Sequence, residues 1–236
     1  MRARIVLSFA LALPCITARP AGAQTPSTGN EIWPEADYSL QLPADFRLDA
    51  LGQLKEGTDY AAQEWKLGAQ LSYQWQRILA RHAENIDRNK ESHVVLGAGY
   101  QYVQTDQPTP AKFENRLVLD VTLNFRPASS ILLNDRNQYE YRWVNGAYST
   151  RYRNRLEADL DLSPDPHPVR PYIAAEFFYE VSSGAWDEER YTAGIEWPLR
   201  NTMTLSTYYL LQQCPTCSPA HLNVLGVTWR AYGIWR

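Results

Sequence analysis

The chain has 236 residues, of which 44% are hydrophobic and 21% are charged, and its formal net charge is −3. These proportions exclude a disordered chain or a fibre, and the near-neutral balance excludes a generic basic nucleic-acid binder. The length suits one all-β barrel or sandwich, or two small domains. Aromatic residues are abundant, with 15 Tyr, 8 Trp and 6 Phe.

The first 23 residues have the pattern of a secretory signal peptide. Arg2 and Arg4 precede a short apolar run at 5–13, and a small-residue cleavage site ends at Ala23. A transmembrane anchor is the alternative, but the apolar run is too short to span a bilayer. Cleavage would remove three arginines and leave 20 basic and 26 acidic side chains. No repeat or linker divides residues 24–236, which we interpret as one domain.

Most of the remaining chain alternates between apolar and polar residues, which is typical of strands with two different faces. In the clearest case, every second residue from Trp65 to Trp75 is apolar or aromatic, and the residues between them are polar or glycine. Turn signals separate long runs of this kind. Eleven runs are predicted, at 33–42, 46–55, 64–76, 92–104, 114–126, 131–143, 149–162, 170–181, 188–199, 202–212 and 221–232.

Long hairpins without intervening helices predict an antiparallel up-and-down meander. Closing it into a barrel removes the exposed edges that would otherwise aggregate. Bacterial membrane barrels usually have an even number of strands, with both termini on the periplasmic side. The sequence therefore predicts a closed barrel of 12 strands, with 10 as the alternative.

The positions of tryptophan favour a membrane barrel over a soluble lipocalin-like binding barrel. Trp65 and Trp75 share a face and lie ten residues apart, which is about 33 Å along a strand and about 25 Å along the axis of a tilted strand. This distance matches the apolar band between the two aromatic girdles of an outer-membrane barrel. The predicted girdle residues are Trp33, Trp65, Trp75, Trp143, Trp197 and Trp229.

Several short strings also resemble one known family. They are Trp33-Pro34-Glu35, Glu114-Asn115-Arg116, Asp135-Arg136-Asn137, Arg151-Tyr152-Arg153-Asn154-Arg155, and Pro171-Tyr172 followed by Glu176 and Phe178-Tyr179. In that order they resemble the bacterial outer-membrane family catalogued as domain of unknown function 2490. The resemblance implies a β-barrel in the outer membrane and no known reaction.

The polar faces of the runs are dense in charges of both signs. If they face inward, opposite charges on neighbouring strands must pair or stay hydrated, and Glu140 is expected to meet Arg153 or Arg155. Two interpretations remain: an electrostatic plug, or a narrow polar pore for small solutes. The predicted lumen network consists of Arg136, Glu140, Arg142, Arg151, Arg153, Arg155, Glu157, Asp159, Glu176, Glu180, Arg190 and Glu196.

The two cysteines that follow the signal sequence form a C-x-x-C pair, Cys214 and Cys217. In an exported chain without a thioredoxin-like helix, a loop disulfide is favoured over redox chemistry. No second Cys/His pair has the spacing of a zinc site, so no metal is predicted.

An enzyme is the alternative of a different class, because membrane barrels can hold lipid-modifying hydrolases. His82, His93, His167 and His221 belong to no recognisable triad motif, and neither G-x-S-x-G nor a phosphate-binding loop occurs. We therefore expect no catalytic residue and no cofactor. The expected partners are outer-membrane lipid and possible small solutes, and no nucleic acid.

Overall fold

A computed structural model describes residues 28–77, 90, 92–107, 111–128, 130–160, 169–200 and 202–235. The predicted signal peptide, His82 and His167 lie outside this range. The described residues form eleven strands: β1 Thr28–Gln41, β2 Phe46–Gly57, β3 Gln63–Arg77, β4 Ser92–Gln107, β5 Lys112–Ala128, β6 Ile131–Val144, β7 Ala147–Leu160, β8 Arg170–Glu180, β9 Ala185–Arg200, β10 Met203–Gln213 and β11 His221–Ile234. None of the described segments is a helix long and apolar enough to cross a membrane.

The strands close into a barrel in which each strand from β2 to β11 pairs antiparallel with the one before it. The predicted closed, all-β and largely antiparallel barrel is therefore confirmed. The ring of described strands contains eleven members, which lies between the predicted counts of 12 and 10. The expectation of an even count assumed antiparallel closure, whereas β1 pairs with β11 in parallel from Thr28↔His221 to Gln41↔Ile234.

The parallel seam places the start of β1 and the end of β11 at opposite ends of the barrel, whereas the expected antiparallel closure would place them at the same end. We call these ends the Thr28 end and the Ile234 end. The hairpin of Asn145 and Gly146 and the disulfide loop between β10 and β11 lie at the Thr28 end. Asn145 and Gly146 both have positive φ, 48° and 85°, as a two-residue hairpin turn requires.

One glycine on β4 makes room inside the barrel. A Cβ atom at Gly97 would lie 2.3 Å from Oδ1 of Asp120 on β5 and 2.4 Å from Nε2 of Gln70 on β3. Across this gap, Gln70 Nε2 donates a hydrogen bond of 2.7 Å to Asp120 Oδ1. Because Gly97 has no side chain, this hydrogen bond can connect β3 and β5 through the interior, across β4.

Candidate functional site: the charged lumen

The barrel has an apolar exterior and a polar interior, because alternate residues of each strand point to opposite sides. On β5 the outward residues Leu117, Leu119, Val121, Leu123 and Phe125 are each 40–56% exposed. The residues between them, apart from Val118, are polar and buried. The interior is therefore where chemistry or transport could occur.

Glu140 on β6 is the centre of the interior charge network. Its side chain has no solvent exposure, and it accepts hydrogen bonds from Arg151 Nε at 2.9 Å and from Arg153 Nη1 at 2.8 Å. Arg153 also donates from Nη2 to Glu176 Oε1 on β8 at 2.7 Å. A buried carboxylate is stable only with such partners, because an uncompensated charge in the interior is costly. The predicted pair of Glu140 with Arg153 is present, and Arg155 pairs elsewhere.

A fully buried phenylalanine on β8 packs among three of the arginines. The guanidinium carbons of Arg151, Arg153 and Arg190 lie 5.0, 4.8 and 4.6 Å from the ring centroid of Phe178. Cations within about 6 Å of an aromatic ring are attracted to its π electrons. The ring therefore fills the space between charged groups that would otherwise need water.

The network extends toward the Thr28 end through β5 and β6. Glu114 accepts a hydrogen bond from Arg116 Nε at 2.7 Å and is also bonded to Arg142. Arg142 continues to Glu180 of β8, with 3.1 Å between Nη1 and Oε2. Three strands are thus joined by ion pairs at this level.

The network extends toward the Ile234 end through Lys90. Its ammonium lies 2.8 Å from Glu157, 2.6 Å from Asp159 and 3.5 Å from Glu196. Arg155 reaches the same Glu157, with 2.6 Å between Nη2 and Oε2. This cluster connects β7 to β9 through a residue that lies outside the strands.

Arg230 of β11 carries the chain of ion pairs back to β1. Its guanidinium lies 3.0 Å from Glu196 and 3.3 Å from Asp37. Three groups of ion pairs therefore lie around the interior: one joins β5, β6 and β8, one surrounds Glu140 and Glu176, and one extends from β7 to β1.

All twelve residues of the predicted network face the interior, and each has at least one ion pair. The sequence reasoning missed Glu114, Arg116, Lys90, Arg230 and Phe178. The first two and Arg230 lie on polar faces of predicted runs, so alternation could have found them. Lys90 and Phe178 gave no such signal, because one lies outside a strand and the other is apolar.

A cavity of about 900 Å³ lies within the lumen, and residues of this network, among them Arg136, Arg153 and Glu196, line it together with residues of β1–β3. On its β1–β3 side, Glu35 accepts a hydrogen bond of 2.7 Å from Gln53. Lys66 also lines this space, and no carboxylate of the described residues lies within 4.0 Å of its ammonium. The arrangement leaves room for water or a small polar solute within the lumen.

The predicted girdle position of Trp33 is wrong. Trp33 shares its face of β1 with Glu31 and Glu35, so it points inward, where it is 3% exposed. Its indole N–H donates to Glu31, which also accepts a hydrogen bond from Tyr60. Lys55 lies over the Trp33 ring, 4.6 Å from its centroid. Burial, together with the nearby Glu31, raises the pKa of the Tyr60 hydroxyl.

Trp33 belongs to a small apolar cluster inside the Thr28 end. Leu210, Leu222 and Val224 complete it, and Tyr60 and Tyr208 pack against it. In the loop between β10 and β11, next to this cluster, the predicted Cys214–Cys217 disulfide is present. This cluster narrows the interior at the Thr28 end.

The other five predicted girdle residues face outward, in two levels. Trp65 and Trp143 lie near the Thr28 end, while Trp75, Trp197 and Trp229 lie nearer the Ile234 end, and all are 38–53% exposed. The sequence reasoning missed two further exposed tryptophans, one at each end of the barrel, Trp186 and Trp235.

The two described histidines lie at opposite ends of the barrel. His93 begins β4 at the Ile234 end and His221 begins β11 at the Thr28 end, so these two histidines cannot share a site. Within the described part of the chain, no group of three or more His, Cys, Asp or Glu residues is arranged to hold a metal ion.

Comparison with known proteins adds one relationship. No curated protein and no solved structure matches this chain. The model of one family, described as Protein of unknown function (DUF2490), matches residues 30–220. This match covers most of the chain and agrees with the resemblance of the short strings. The chain belongs to this family of proteins of unknown function, DUF2490.

Proposed function

We propose that this β-barrel resides in the bacterial outer membrane and that its lumen is filled by an ion-pair network, which makes it a closed membrane scaffold and not an open channel. The observation that carries the proposal is the reversal of the usual arrangement of a soluble protein. Charged residues such as Glu140 are inside, and apolar residues such as Leu67, at 60% exposed, are outside.

The apolar exterior supports the membrane part of the proposal. Soluble monomers rarely expose contiguous apolar surface larger than a few hundred Å², and the outward stripe on β5 alone is apolar at five successive positions. A soluble binding barrel would turn this face inward. The two levels of tryptophan fit the interfaces of a bilayer, where amphipathic aromatic rings are favoured.

The paired charges of the interior support the second part. Glu140 and Phe178 have no solvent exposure, and Arg153 is bonded to carboxylates from two strands. Such a cluster holds the strands together and opposes the passage of ions. The proposal assigns no catalytic role.

A narrow polar pore is the second candidate, and the cavity beside Lys66 and Glu35 favours it. A path along β1–β3 would pass residues of both signs, which would admit small polar solutes. The two candidates differ in whether water fills a continuous path, and ion conductance distinguishes them.

Fractionation of cells that express the full chain tests the membrane part. We expect the protein in the outer-membrane fraction, resistant to alkaline extraction and released by detergent. The folded form should migrate differently from the boiled form on a gel, because closed barrels unfold slowly. Recovery as a soluble periplasmic protein would overturn the proposal.

A further inference from the structure

A group of polar side chains interrupts the apolar exterior on β6 and β7. Asp135 and Asn137 of β6 and Tyr152 and Asn154 of β7 alternate with the inward arginines and therefore point outward. We call these four residues the outer amide cluster. They do not line the interior cavity, and each is partly exposed. They are surrounded by apolar residues of the outer wall, including Leu156, which is 49% exposed.

The outer amide cluster lies near the middle of the barrel wall. Asn154 is six residues from Tyr148, at one end of β7, and six from Leu160, at the other. Six residues extend about 20 Å along a strand and about 15 Å along the axis of a tilted barrel. Asn137 is directly opposite Asn154 in the ladder between the two strands. The two asparagines therefore lie between the two aromatic levels, and Tyr152 reaches toward the Thr28 end, where its ring centroid is 6.3 Å from that of Trp186.

Hydrogen bonds within the cluster satisfy only part of its polar groups. Asn154 Nδ2 donates to Asp135 Oδ1 at 2.7 Å and to Asn137 Oδ1 at 3.2 Å. Asn137 Nδ2 donates to Asp135 Oδ1 at 3.1 Å, and the Tyr152 hydroxyl donates to Asn137 Oδ1. One N–H of Asn137, the carbonyl oxygen of Asn154 and Oδ2 of Asp135 have no partner among the described residues.

In hydrocarbon these open groups have a cost, because lipid tails offer neither donors nor acceptors. Polar residues at the centre of a membrane wall usually face another protein surface, where amides form hydrogen bonds between the two partners. We propose that the outer amide cluster is the contact surface of a dimer formed by two copies of this chain. This inference rests on the proposed membrane location.

Two-fold symmetry makes the cluster complementary to itself. Two copies inserted in the same direction are related by an axis parallel to the barrel axis, and such an interface brings the same patch of both copies together. With the axis between β6 and β7, Asn137 of one copy faces Asn154 of the other. The open N–H of Asn137 then meets the open carbonyl of Asn154, and the reciprocal bond forms on the other side of the axis.

The acidic residue of the cluster is held by amide donors of its own chain. Asp135 is two residues from Asn137 along β6 and lies opposite Leu156 in the ladder. Each carboxylate keeps the two amide donors of its own copy. A partner of another kind would need hydrogen-bond donors at this depth, and the cross-linking experiment below distinguishes that case.

Single-cysteine cross-linking in outer membranes tests the dimer. Leu156→Cys places a thiol at the proposed interface, and Val227→Cys is the matched control, since Val227 is outward, mid-strand and 42% exposed on the opposite wall. The native cysteines are joined to each other, so the unmodified chain controls for their reaction. With a short apolar bismaleimide, we expect a band of twice the chain mass for Leu156→Cys, several-fold stronger than for Val227→Cys.

A second variant removes the hydrogen bond without placing a charge in lipid. Asn154→Leu in the Leu156→Cys background should abolish the cross-linked band, while the heat-dependent gel shift shows that the barrel remains folded. Three outcomes would overturn the dimer and leave the proposed function intact. They are equal cross-linking at both positions, no cross-linking in protein that is present in the outer membrane, and a cross-linked band of another mass. Absence of the protein from the outer membrane would overturn the proposed function, and the dimer with it.

Discussion

Replacement of Arg153 by alanine tests whether the interior is a dry network. Arg153 donates to Glu140 at 2.8 Å and to Glu176 at 2.7 Å, and only 13% of its side chain is exposed. Its loss would leave Oε1 of the fully buried Glu140 without a donor and would remove a cation from the Phe178 ring. Breaking a buried ion pair by removing one partner costs about 3–5 kcal/mol.

The remaining contacts set the expected value within that range. Arg151 would still bond to the other oxygen of Glu140, and Arg190 lies 3.8 Å from Glu176. We therefore expect Arg153→Ala to lower the free energy of unfolding by about 3 kcal/mol. Arg136→Ala is the matched control, because Arg136 has a single 3.3 Å contact with Glu176 and its side chain is 38% exposed. Its loss should cost less than about 1 kcal/mol.

Urea unfolding in detergent micelles or vesicles, followed by tryptophan fluorescence, measures both values. The dry network predicts a clear difference between the two variants. If Arg153→Ala is no more destabilising than Arg136→Ala, water replaces the lost donor and the reasoning about a filled lumen is refuted. Cation selectivity gained by Arg153→Ala in a conducting barrel would point to the narrow pore.

Three further predictions concern the wall and the loops. Leu71→Arg would place a charge on the lipid side of the wall near mid-height, and it should lower the free energy of unfolding in urea by about 2–4 kcal/mol. Leu199→Arg, at the end of β9, should lower it by only about 0–1 kcal/mol. Equal effects of the two variants would contradict the assigned outer face. Gly97→Ala should destabilise the barrel in the same assay, because its Cβ would lie 2.3 Å from a side-chain oxygen. Gly52→Ala should be tolerated, since the nearest atom to its Cβ would be 3.5 Å away. A larger loss of stability for Gly52→Ala than for Gly97→Ala would be inconsistent with the packing around these glycines. Cys214 and Cys217 should resist thiol labelling without reductant, and two free thiols would contradict the disulfide. Replacement of both cysteines by alanine should change the free energy of unfolding little, because the loop that they close is short.

Much of the fold could be predicted because a strand has a period of two residues. Alternation located all eleven strands and separated the outward Leu71 from the inward Gln70 and Ser72. It could not predict how the ring closes, because no local pattern states which strand pairs with β1. The parallel seam depends on the register of Thr28 with His221, which are far apart in the sequence.

The error at Trp33 has a local cause. Its place at the start of a predicted run indicated a girdle, but its neighbours of the same parity, Glu31 and Glu35, show that this face is polar. The parity of charges is therefore better evidence for the direction of a side chain than its distance from the end of a strand. Lys90 could not be assigned in this way, because parity has no meaning outside a strand.

The outer amide cluster shows what alternation predicts when both faces are polar. In the stretch from Arg151 to Arg155 every residue is polar or aromatic, so the pattern gives no difference between inside and outside. Only the pairing with β6, which places Asn137 opposite Asn154, shows that amides share the outer face. Such stretches are where sequence reasoning about a membrane wall is weakest and where contact surfaces are best sought.

Ion conductance of the purified full chain in planar bilayers tests the central claim most directly. The ion pairs that surround Glu140 and Glu176, with Phe178 between the arginines, predict inserted protein without stepwise conductance at either polarity. Protease protection of the inserted barrel serves as the control for insertion. Stable conductance steps with reproducible ion selectivity would contradict the closed barrel and establish a water-filled path through the lumen.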